Sequence, residues 1–172
     1  MLIAFAGLPG TGKSTIARAL ARRLGAVYLR IDTIEQAIGG GDGPNGYLAA
    51  YAVAEDNLRL GQTVIADSVN AIAITRDAWR DIAARAAVTF AEVEIVCSDK
   101  AEHRRRVETR SADIAGLKLP SWHDVVARRY EKWERSPIVI DTADRDVVEL
   151  VEDLLNALPE SCSARPGARS TR

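Results

Sequence analysis

The chain has 172 residues, 47% of them hydrophobic and 27% charged, which at roughly 150 residues per domain means one compact domain and excludes a large multidomain assembly. A chain of this size buries on the order of 70% of its unfolded surface, so it needs neither disulfide nor structural metal to fold. Lysine and arginine number 23 against 24 aspartates and glutamates, a net charge of −1; without a basic field a general nucleic-acid binder is disfavoured, and an anionic partner has to be held locally.

The first residues, Met1 to Ala6, lack a basic leader, and their apolar run stops at Gly7, too short for a signal peptide or a membrane span. Cys97 and Cys162 stand far apart with no ligand-type cluster around them, which points to a reducing compartment and no zinc site. A cytoplasmic protein with no membrane contact is expected.

Short apolar runs then alternate with stretches of helical period. Strands are predicted near residues 2–6, 27–31, 62–67, 91–97 and 137–141, and helices over 13–24, 33–38, 47–60, 75–87, 99–110, 121–134 and 145–157. Several helices open on an N-cap residue, as at Ser121 with Asp124. Strand-helix alternation predicts an α/β fold with a five-stranded parallel sheet; right-handed crossovers place helices on both faces and any ligand at the strands' C-terminal edge. Gly39 to Gly46 carries five glycines in eight residues, a backbone expected to be a mobile loop. The stretch 159–172, rich in Ser, Ala, Arg, Pro and Gly, is expected to be a disordered tail carrying Cys162. The domain is therefore bounded at 1–158.

Gly7-Leu8-Pro9-Gly10-Thr11-Gly12-Lys13-Ser14 fits G-x-x-x-x-G-K-S/T, directly after an apolar strand and directly before the helical run beginning at Thr15. Such glycines let consecutive backbone N–H groups point inward as a nest, and the helix N-terminus adds partial positive charge. Triphosphate oxygens fit that nest. Lys13 brings a flexible point charge to the β- and γ-phosphates, and Ser14 offers a hydroxyl to Mg²⁺. ATP and Mg²⁺ are the implied pair, bound along Gly7 to Thr15.

A phosphate loop alone does not separate hydrolysis, switching and phosphoryl transfer, so the deciding residues lie after the neighbouring strands. Asp32 follows Val27 to Ile31, where a carboxylate could accept the proton of an attacking hydroxyl; Asp32-Thr33-Ile34-Glu35 also resembles a capping box. Asp67 ends the third strand, a place suited to ordering Mg²⁺, and Ser68 follows it rather than the glutamate of an ATP-hydrolysing motor. Asn70 extends this loop toward the presumed cleft, as an acceptor contact or as an ordinary turn residue.

Arg106 and Arg110, four residues apart on a predicted helix, share a face from which they could close over phosphates. Glu102 and Glu108 are each four residues from an arginine there, so a solvated ion-paired face is the alternative. Trp79, Trp122, Tyr130 and Trp133 fall on predicted helices and read as packing residues. His103 and His123 have no ligand partners in spacing, and Cys97 reads as a small buried hydrophobe.

Taken together, Gly7 to Thr15, Leu29-Arg30-Ile31-Asp32, Gly61 to Asn70, Arg106 to Arg110 and Pro120 to Trp133 resemble the small kinase-like P-loop proteins of the nucleoside-monophosphate-kinase-like fold. This group, also called AAA-family ATP-binding proteins, is kin to shikimate, gluconate and adenylylsulfate kinases. The resemblance implies a three-layer P-loop NTPase with sheet order 2-3-1-4-5. It also implies transfer of a phosphoryl group from ATP to a hydroxyl of a small molecule. By that likeness Lys13 and Ser14 hold phosphate and metal, Asp32 is base or acceptor ligand, Asp67 lies near the metal, and Arg106 or Arg110 closes a lid at 104–120. An acceptor-binding lobe falls at 39–60.

Two departures narrow the reading. Polynucleotide 5′-kinases of this group carry an arginine three residues after the base, and Glu35 stands here, which disfavours a nucleic-acid end as acceptor. Arg30-Ile31-Asp32-Thr33 does not reproduce the adenylylsulfate kinase loop. A small-molecule kinase is the leading expectation, with a nucleic-acid end kinase or a nucleotide-dependent switch as alternatives.

Overall fold

The computed structural model describes residues 1–39 and 44–159. Strands β1 (Leu2–Ala6), β2 (Val27–Arg30), β3 (Val64–Asp67), β4 (Phe90–Val96) and β5 (Ile138–Asp141) form one parallel sheet of order β2-β3-β1-β4-β5. Direction and order are those expected. β1 is central and all five of its residues are buried, as a strand covered on both faces must be.

The two-residue period of β1 divides the core. Ile3 and Phe5 point to the face covered by α1 (Lys13–Leu24) and α7 (Val147–Ala157), where Ile16, Leu20, Leu150 and Leu154 meet them. Leu2 and Ala4 point to the opposite face, covered by α3 (Asn45–Arg59) and α4 (Ala73–Arg85) through Ala50, Ala54, Leu58, Trp79 and Ile82. Cys97, just past β4, is a buried free thiol.

The remaining helices are α2 (Ile31–Ala37), α5 (Lys100–Thr109) and α6 (Trp122–Ala127). β2 runs into α2 without a loop, Arg30 being at once the strand's last residue and the helix's N-cap position. Asp32 therefore sits inside the first turn of α2, and the capping-box reading of Asp32-Thr33-Ile34-Glu35 fails. Ser121 with Asp124 does form a complete capping box at the start of α6.

That helix is far shorter than the predicted 121–134. It ends at Ala127, Arg128 is extended, and Tyr130 and Trp133 are not helical. The physical reason is Arg76 of α4, which donates to the Glu131 carbonyl (3.0 Å) and lies over the Trp133 and Tyr130 rings, while it also holds Ala71 O (3.2 Å) and Asn70 O (2.9 Å). Carbonyls and rings that wrap a buried guanidinium cannot also follow a helical path. Of the predicted mobile loop, residues 40–43 lie outside the described residues, and Asn45 and Gly46 already belong to α3. Residues 160–172, most of the expected tail and Cys162 with it, also lie outside them.

Candidate active site

The glycine loop between β1 and α1 is held in a shape that side chains would prevent. Gly7 has φ 135°, and a Cβ there would stand 2.2 Å from the carbonyl oxygen of Ile95; at Gly10, with φ 86°, it would stand 2.4 Å from Val107 Cγ2. The loop is also pinned from outside. His103 Nε2 lies 2.9 Å from Pro9 O, Thr142 Oγ1 donates to Thr11 O at 2.9 Å, and Thr11 Oγ1 donates to Leu8 O at 2.9 Å. No side chain caps the first turn of α1 and no acidic residue lies in it, so its positive end faces the cleft.

That cleft, of about 820 Å³, opens at the C-terminal edge of the sheet. Lys13, Ser14, Asp32, Asp67, Arg106 and Arg110 all line it, so the structure gathers the six residues singled out for catalysis and metal around one space. Pro9, Gly10, Gly12 and Thr15 line it too, whereas Gly7, Leu8 and Thr11 do not. Asn70 is also absent from the walls; it is 1% exposed, with φ 47°.

Burial lowers the Lys13 ammonium to about 8, although Asp67 and Asp32 pull it the other way. Its Nζ donates to Leu8 O at 3.0 Å. Asp67, 2% exposed, accepts a 2.6 Å hydrogen bond on Oδ2 from Tyr28 of β2. Burial and the Asp67 carboxylate push the Tyr28 phenol above its ordinary range, so Tyr28 stays a donor and aims one carboxylate oxygen. Asp32 is less enclosed, its side chain 44% exposed, with Arg30 Nη2 3.8 Å away. Burial, then the neighbouring Asp32 charge, raises the Glu35 carboxyl.

The two arginines of the predicted lid differ. Arg106, in the last turn of α5, is fixed: it donates to Thr142 Oγ1 (2.8 Å) and Thr142 O (3.0 Å) and pairs with Glu102. Arg110 lies just past the helix with an extended backbone, and its Nε and Nη2 are buried without a hydrogen-bond partner. Of the ion-paired face anticipated, Arg104 with Glu108 and Arg106 with Glu102 are realised.

A family model described as an AAA domain matches residues 2–131. The chain belongs to that family. Similar solved structures include Kti12 from Chaetomium thermophilum in complex with ADP-AlF3 (TM-score 0.66, 22% identity, 92% of this chain and 100% of that one). A gluconokinase from Sinorhizobium meliloti is another (0.62, 19%, 90% and 89%). A third is the APS kinase CysC from Mycobacterium tuberculosis in complex with AMPPNP and APS (0.62, 18%, 90% and 95%). At these identities the likeness shows a shared fold. No curated protein matches the chain.

Several residues in the cleft wall of this AAA-domain protein, or bonded to it from behind as Tyr28 is to Asp67, carry no sequence signal of their own. Tyr28 looks like an ordinary strand residue, and Arg18, on α1, and Asp113 look like surface charges, yet Arg18 and Arg30 both bind the Asp113 carboxylate. Tyr47, on the first turn of α3, lines the cleft and accepts from Asn70 N at 3.4 Å. A strand register would have placed Tyr28 near Asp67; nothing local could have paired Asp113 with Arg30.

Proposed function

We propose that this protein transfers the γ-phosphoryl group of ATP to a hydroxyl of a small molecule. The observation that carries the reading is the position of Asp32: a half-exposed carboxylate with no hydrogen-bond partner among the described residues, across one cleft from Lys13 and the glycine loop. A hydroxyl oxygen held beside Asp32 attacks the γ-phosphorus, Asp32 accepts its proton, and the bond to the bridging oxygen breaks with its electron pair leaving on ADP. Similarity to a gluconokinase and an APS kinase supports the same reaction class.

The loop from Gly7 to Thr15 takes the phosphates, with Lys13 across the β- and γ-groups. Ser14 and the Asp67 oxygen left free by Tyr28 suit Mg²⁺, which takes a few protein oxygens and otherwise keeps phosphates and waters. Held there, Mg²⁺ would neutralise phosphate charge. Arg106, braced by Glu102 and Thr142, and Arg110, with two unpartnered N–H groups, are the donors for charge building on the transferring group. The 104–120 stretch acts as the lid, and 39–60 contributes Tyr47 to the acceptor side. No helix among the described residues is long and apolar enough to cross a membrane, and the reading is of a cytoplasmic enzyme.

Incubation of a metabolite extract with ATP·Mg²⁺ and either wild type or Lys13→Ala, followed by mass spectrometry, tests this. A species gaining one phosphoryl group with wild type alone identifies the acceptor. No such species, with ATP binding intact, turns the reading to a nucleotide-dependent switch.

A further inference from the structure

The cleft is basic beyond what a nucleotide requires. Its walls carry eight lysines and arginines against four carboxylates, in a chain whose net charge is −1. Lys13 and Arg106 stand at the glycine loop, but Arg30 and Arg110 stand on the Asp32 side. The Arg30 side chain is 13% exposed with its Nε buried and unpartnered, and Arg110 has Nε and Nη2 in the same condition. Buried guanidinium N–H groups without acceptors are costly, and their planar fork matches an oxyanion.

One oxyanion already sits there. Asp113, on the irregular segment after α5, places Oδ2 2.9 Å from Arg18 Nη1 and 2.8 Å from Arg30 Nη1. Its side chain is 44% exposed, so the tie is of the weak, exchangeable kind. Arg30 Nη2 is also 3.8 Å from Asp32, close enough that one small molecule can present an anion to Arg30 and a hydroxyl to Asp32.

The geometry points to Asp113 as a tethered stand-in for an acid group of the acceptor. On this view, which rests on the phosphotransfer reading above, the acceptor is a hydroxyl compound bearing a carboxylate, phosphate or sulfate. That group displaces Asp113 from Arg30 and Arg18. Asp113 thus sets a threshold that uncharged polyols do not cross.

The test uses the full chain and inorganic sulfate as probe. AMPPNP·Mg²⁺ is first titrated calorimetrically to fill the glycine loop, and sulfate is then titrated into that complex at constant ionic strength. Asp113→Asn, which removes the competing charge, is expected to tighten sulfate binding roughly two- to fivefold, the scale of an exposed ion-pair tie. Arg30→Gln in the Asp113→Asn background is expected to abolish the gain. Normal AMPPNP binding with sulfate affinity indifferent to both substitutions overturns the anion site and leaves phosphotransfer standing. Failure of wild type to bind AMPPNP overturns phosphotransfer itself. A gain that survives Arg30→Gln means a general charge effect and also overturns the site.

Discussion

Tyr28 Oη lies 2.6 Å from Asp67 Oδ2 and ties β2 to the C-terminal end of β3. The bond fixes which Asp67 oxygen turns to the cleft. Tyr28→Phe keeps the ring and removes only the donor. A hydrogen bond to a charged acceptor is worth about 1.5–3 kcal/mol when buried; here, in a part-buried place, about 1 kcal/mol of stability is expected to go. The more telling readout is metal: the Mg²⁺ concentration for half-maximal turnover should rise several-fold, and a Mg²⁺ titration that is unmoved would show that Tyr28 merely packs.

Lys13 gives opposite pH trends for folding and for binding. Burial lowers it from 10.5 to about 8, so between those values the unfolded chain holds more protons than the folded one, and stability rises with pH across that window. Polyphosphate favours the charged ammonium, so nucleotide affinity should fall as pH rises above about 8, by up to about tenfold per unit until the pKa of the complex is reached. Calorimetric titrations of AMPPNP at several pH values check the second trend and denaturant melts the first. Lys13→Met should flatten both. A wild-type affinity constant through this range would show that Lys13 does not meet phosphate.

Asp32→Asn preserves size and removes the base. Loss of a positioned general base slows the chemical step by about 10²–10⁴-fold, while AMPPNP affinity, set across the cleft by the glycine loop, should hold. Single-turnover transfer to the acceptor found by mass spectrometry measures the first, and calorimetry the second. Full transfer by Asp32→Asn would remove the carboxylate from the proton path.

What the sequence made legible follows from how locally each feature is encoded. The sheet is written in apolar runs such as Leu2 to Ala6 and Val64 to Ala66, and the glycine loop is contiguous. Asp32 and Asp67 could be found because strand ends converge by topology. Asp113 with Arg30 and Tyr28 with Asp67 are contacts between residues 83 and 39 positions apart; the second needs the pairing register of β2 with β3, and nothing in the spacing encodes the first. The overlong helix at 121–134 failed for the same reason, since the residues beyond its observed end at Ala127 include Glu131 and Trp133, which are held by the distant Arg76.

Arg76 is the last of these unheralded residues and the one with the largest expected effect on stability. It is 2% exposed, its guanidinium carbon lies 3.9 Å from the Trp133 ring centroid and 5.1 Å from that of Tyr130, and it joins the segment after β3, through Asn70 O, to the segment after α6, through Glu131 O. Lysine keeps the charge but has neither the fork to serve several carbonyls nor the plane to stack on indole. Arg76→Lys is therefore expected to cost about 2–4 kcal/mol, near the range for leaving a buried charge without its partners. Arg80, exposed on the same helix, should change stability by no more than about 0.5 kcal/mol as Arg80→Lys. Urea melts of the two variants decide it, with hydrogen exchange of residues 128–134 as the local readout. Equal midpoints for both would mean that Trp133 and Tyr130 hold their segment without Arg76.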